Sequence, residues 1–167
     1  MPLPHDLCQA MMCIALTWGW TRVYAVLCIG FYSLMRPGEL FALRGFDMLR
    51  HMNGGWLLRI AQGERRVRGA RGQYAKIVAV SCGEVLDRWL QEMGSTDRLW
   101  TSSPTVFARR FRALVEEAIG MRGGFTVGSL RTGGATFLLQ HWGEDLQRLC
   151  WRGRWRDTTT LWHYAQE

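Results

Sequence analysis

"GSLRTGGATFLLQHWGEDLQRL", residues 128–149, is the stretch on which the reading of this chain turns. Ser129 to Trp142 has the apolar spacing of a helix, and a second helix follows from about Glu144 to Trp151. Arg131 stands in the opening turn of the first helix, where a solvated cation opposes the dipole, so it reads as a functional residue. Gly133 and Gly134 follow it, and each weakens a helix by about 1 kcal/mol relative to alanine.

Upstream of this pair lies the most regular helical pattern in the chain, "SSPTVFARRFRALVEEAIG", residues 102–120. Ser103 is placed to cap it and Pro104 to open it, with Phe107, Phe111, Leu114, Val115 and Ile119 facing inward. Gly83 to Met93 has the same spacing through Val85, Leu86, Trp89 and Leu90. Before it the period changes. "WLLRI" (56–60) and "KIVAV" (76–80) are β-type runs, joined by the Arg/Gly-rich "AQGERRVRGARGQYA" as a long hairpin connection. Nearer the N-terminus, Asp6 to Trp18 predicts one apolar helix, and Thr21 can cap another through "RVYAVLCIGFYSLM". After Arg36, Pro37 opens a short helix with Leu40, Phe41 and Leu43 on one side, ended by Gly45. The expected fold class is mainly α with a small antiparallel β-sheet, in an α+β arrangement.

The bulk properties narrow the partners. At 167 residues, 48% hydrophobic and 21% charged, the composition is that of one globular domain. The formal charge is +7, and Lys76 is the single lysine among 21 Lys and Arg residues. Arginine's fork pairs with phosphate oxygens better than lysine does, so nucleic acid is the leading partner. The five cysteines (8, 13, 28, 82 and 150) show no C-x-x-C pair and read as reduced thiols with no metal site. Leu7 to Met35 is apolar, but Arg22, Gly19, Thr17 and Thr21 interrupt it, which favours two packed helices over a membrane span. No secretory signal precedes it, and the expected location is intracellular, nuclear in a eukaryote and cytoplasmic in a bacterium.

Four pieces, taken together, resemble the catalytic domain of the tyrosine recombinases, the phage-integrase family. "SLMRPGELFALRGFD" (33–47) is similar to its first arginine box, with Arg36, Glu39, Leu40 and Leu43 on pattern. The hairpin with Lys76 lies where the family carries a catalytic lysine. Residues 128–149 resemble the His-x-x-Arg box and the helix pair after it, with Arg131 as the arginine. "GRWRDTTTLWHY" (153–164) looks like the closing segment, in which Gly153, Trp155 and Tyr164 match a glycine, a His or Trp, and a tyrosine nine residues on. The position of the family's histidine is Gly128, which has no side chain to take a proton.

The resemblance implies a tyrosine recombinase catalytic-domain-like fold over residues 21–167, with residues 1–20 as an N-terminal helix or linker remnant and no N-terminal core-binding domain. It implies DNA cleavage and rejoining through a 3′-phosphotyrosyl intermediate, in site-specific recombination or integration of a mobile element. Tyr164 would attack, Arg36 and Arg131 would clamp the phosphate, Lys76 would protonate the leaving oxygen and Trp155 would donate its indole N–H. Glu39 would support Arg36. No cofactor, metal or membrane is implied. The partner is double-stranded DNA, with a synaptic homo-tetramer as the possible assembly. The alternative is a catalytically inactive, DNA-binding relative, for which Gly128 speaks.

Overall fold

The computed structural model describes residues 1–52, 55–60, 73–77, 83–141 and 145–165, with only the backbone for residues 160 and 163–165. The helices are α1 (His5–Thr17), α2 (Thr21–Ser33), α3 (Pro37–Ala42), α4 (Gly83–Glu92), α5 (Pro104–Ile119), α6 (Gly128–His141), α7 (Leu146–Gly153) and α8 (Thr158–Ala165). The strands β1 (Met48–Arg50), β2 (Trp56–Ile60) and β3 (Gln73–Ile77) form one antiparallel sheet in that order, with Trp56 opposite both Arg50 and Ile77. The expected mainly helical fold with a small antiparallel sheet is therefore what the chain adopts.

Helix α2 forms the centre. Its residues from Val23 to Ser33 are all buried, which is why it reads as apolar on every side. Helices α1, α5 and α6, the sheet and α4 pack around it, and Phe31, Phe107, Phe111, Met11 and Leu58 fill the space between. A smaller apolar cluster, built from Leu34, Ala135, Leu138, Leu149, Cys150 and Leu161, joins α6 to α7 and α8. Helix α6 thus has one side in each cluster. Helix α1, with Cys8, Met11, Met12 and Ala15 buried, is part of the main core. No described helix is long and apolar enough to cross a membrane.

Caps and short elements account for most differences from expectation. Ser103 caps α5 as expected, its hydroxyl accepting from the Val106 N–H at 3.3 Å, whereas Thr21 is the first helical residue of α2 and caps nothing. Asp145 caps α7 by accepting from the Arg148 N–H at 2.6 Å, so that helix starts later than expected. Strand β1 was not expected, because three residues are too few to show a period. β3 begins at Gln73, and the hairpin connection at residues 61–72 lies outside the described residues. Ile119, expected inside, is 38% exposed as the last residue of α5. Trp56 and Trp100 are buried, but Trp151 is 84% exposed.

The cysteines correct another expectation. Cys8, Cys13 and Cys150 are free, but Cys28 is disulfide-bonded. Spacing along the chain carries no information about which thiols folding brings within bonding distance.

Candidate active-site cleft

Three of the expected site residues come from separate elements and meet at one cleft. Arg36 is the N-cap residue of α3, Arg131 lies in the first turn of α6, and Trp155 follows the end of α7. Together with Met1, Thr126, Gly128, Ser129 and Thr132 they line an open depression of about 470 Å³. Arg36 is exposed there, while Arg131 is only 8% exposed.

The tight turn from Gly153 to Trp155 is what draws them together. Arg131 donates through Nη2 to the Gly153 carbonyl at 2.6 Å, and its guanidinium carbon sits 4.3 Å from the Trp155 ring centre. Arg36 donates through Nη2 to the Arg154 carbonyl at 3.3 Å. Gly153 makes this possible: a Cβ there would fall 1.6 Å from the Trp155 ring, so any larger residue would expel the indole from beneath Arg131. The two arginines, 95 positions apart in sequence, are tethered to adjacent carbonyls of one turn.

Glu39 organises the other side. Its carboxylate accepts from the Arg36 backbone N–H at 2.8 Å, from Arg36 Nη1 at 3.0 Å and from Arg154 Nη2 at 2.5 Å. Burial works against its ionisation, but the Arg36 N–H bond and the two guanidinium charges outweigh this and hold its pKa below the usual carboxylate range. Glu39 thus holds Arg36 and Arg154 on one carboxylate. Arg154 was not foreseen as a site residue. Burial lowers its pKa, an effect that Glu39 opposes and the nearby Arg36 charge adds to.

Both non-glycine residues with left-handed backbone among the described residues flank this cleft. Leu34 (φ 57°) closes α2 two residues before Arg36, and Arg154 (φ 58°) closes α7 one residue before Trp155. Side chains occupy this region only at a cost, and such residues concentrate where the backbone must be aimed.

The remaining expected residues are placed differently. Lys76 is exposed on β3, opposite Leu57, and does not line the cleft. Tyr164 lies on α8, and its side chain is outside the described residues. Gly128 borders the cleft with room beside it, since among the described residues a Cβ there would meet only Thr126 Oγ1, at 3.5 Å. Arg109 and Arg112 are exposed on α5, whereas Arg110 stacks over Trp20 and Trp100, with its guanidinium carbon 5.0 and 5.7 Å from their ring centres.

The fold has known counterparts. A crystal structure of XerA recombinase superposes with a TM-score of 0.77 at 23% identity, covering 99% of this chain and 58% of that one. XerH site-specific recombinase matches in a post-cleavage complex with a palindromic difH substrate (TM-score 0.75, 16% identity, 99% and 49% covered). It also matches in a pre-cleavage complex with a difH substrate (0.76, 17% identity, 98% and 49% covered). The chain spans about half the length of these proteins. At such identities the likeness establishes the fold alone, which is tyrosine recombinase catalytic-domain-like. No protein-family model matches the sequence, and no curated protein matches it significantly.

Proposed function

We propose that this chain is a DNA strand-cleaving and rejoining domain of the tyrosine recombinase type, with Tyr164 as nucleophile. The observation that carries the proposal is the meeting of Arg36, Arg131 and Trp155 on one cleft with Glu39 behind it. Two guanidinium groups on one depression suit the non-bridging oxygens of a phosphodiester, whose charge grows as phosphorus becomes five-coordinate. The Tyr164 oxygen would give up its proton to solvent and attack phosphorus, and the bond to the 5′ oxygen would break, leaving a 3′-phosphotyrosyl ester and a free 5′ hydroxyl once that oxygen takes a proton from Lys76. Attack by a 5′ hydroxyl on the ester reverses the step. When that hydroxyl belongs to another duplex the outcome is recombination, which requires further copies of the chain on the DNA. XerH is known in complexes with its DNA substrate before and after cleavage, which favours double-stranded DNA as the ligand here.

A nicked suicide duplex tests this reading. The expected result is a covalent protein–DNA adduct that Tyr164→Phe abolishes while duplex binding persists. A second reading, a relative that binds DNA without cutting it, is favoured by one observation: Gly128 brings no imidazole to the cleft. Binding without an adduct on any nicked substrate would decide for that reading.

A further inference from the structure

Arg154 has no counterpart in the expected site, yet it touches Arg36 in two ways. Its carbonyl accepts from Arg36 Nη2, and its guanidinium grips the Glu39 carboxylate that also holds Arg36. The side chain is 11% exposed, and its Nε and Nη1 are buried with no hydrogen-bond partner, so Glu39 is the anchor of this guanidinium among the described residues. The backbone is left-handed, a conformation glycine adopts without strain. Glycine would therefore end α7 more comfortably, with no donors to bury, and chain termination alone does not explain an arginine here.

Charge does explain it. Glu39 and Arg36 by themselves form a neutral pair, in which the carboxylate cancels the field that Arg36 offers an anion. With Arg154 on the same carboxylate, the three groups keep one positive charge beside the cleft. Arg154 also fixes the carboxylate from the buried side, leaving Arg36 on the exposed side.

We propose that Arg154 is a positioning residue that takes up the charge of Glu39 from beneath, so that Arg36 meets a phosphate as a fixed and unneutralised cation. The proposal rests on the phosphate-binding reading of the cleft. Its test uses the full chain with Arg154→Gly, Arg154→Lys, Glu39→Gln and the Arg154→Gly/Glu39→Gln double variant. Three properties are measured: melting temperature, NMR order of the Arg36 Nε–H group, and affinity for a short fluorescent DNA duplex.

Arg154→Gly is expected to melt no lower than wild type, to lose order at Arg36 and to bind the duplex about tenfold more weakly, the scale of a direct coupling between neighbours. In the double variant the carboxylate charge is gone and affinity should recover towards wild type, a rescue that a merely structural role would not give. Unchanged Arg36 order in Arg154→Gly, or a double variant weaker than both singles, overturns the proposal. Should Arg154→Gly melt well below wild type, Arg154→Lys decides, since a retained charge should preserve duplex affinity and its loss overturns the idea. If wild type itself ignores the duplex, the phosphate reading fails, and the NMR signal of Arg36 still settles whether Arg154 positions it.

Discussion

Gly128 sits at the cleft with space beside it, and that space makes the missing imidazole a testable matter. Its backbone is not left-handed, and among the described residues a Cβ would meet only a hydroxyl at ordinary contact distance. Gly128→His should fold with an unchanged melting temperature and raise the rate of adduct formation on a nicked duplex by about 10²-fold or more, the usual contribution of a placed acid or base. Arg36 and Arg131 were legible in the sequence because each is locally unfavourable, a cation at a helix start. Trp155 was legible only through the spacing to Tyr164. Arg154 was not, because an arginine after a helix ordinarily signals a solvated end. The signal that could have found it is its position at a helix stop, where glycine is the usual occupant. Lys76 was named from its hairpin, and the structure places it exposed on β3, apart from the residues that line the cleft.

Helix α6 reverses the meaning of two of its own residues. Helix propensity alone says that replacing Gly133 or Gly134 with alanine should add about 1 kcal/mol of stability to each position. The packing says the opposite, because a Cβ on Gly134 would lie 1.9 Å from the Phe31 carbonyl oxygen in α2, and one on Gly133 would lie 2.1 Å from the Leu3 carbonyl oxygen. Gly134→Ala is therefore expected to destabilise the chain by about 1–3 kcal/mol or more, read from urea unfolding. A gain in stability would mean that α6 and α2 are not pressed together as described. The glycines carried a correct warning in the sequence but not its reason, since close approach between helices is a tertiary fact. Long periodic elements such as α5 were readable almost to the residue. β1 and the start of β3 were not, because short strands take their identity from the neighbour they pair with.

At the scale of the molecule, the formal charge of +7 makes salt the variable that tests an anionic partner. If Arg36 contacts a phosphate, log affinity for duplex DNA should fall linearly with log salt, and Arg36→Ala should reduce that slope by about 1. Fluorescence anisotropy over a salt series checks this, and an unchanged slope would remove Arg36 from the phosphate contacts. The two apolar clusters divide the chain unevenly, with the small one holding α7 and α8 to α6. That division was not legible, because it depends on which faces of α6 meet which partners. The path of the first residues has a practical outcome. The Leu3 N–H donates to the Ser129 carbonyl at 3.1 Å, and this carries Met1 to the rim of the cleft. Whatever is joined ahead of Met1, further chain or a fused tag, would therefore leave the fold beside that opening and crowd it.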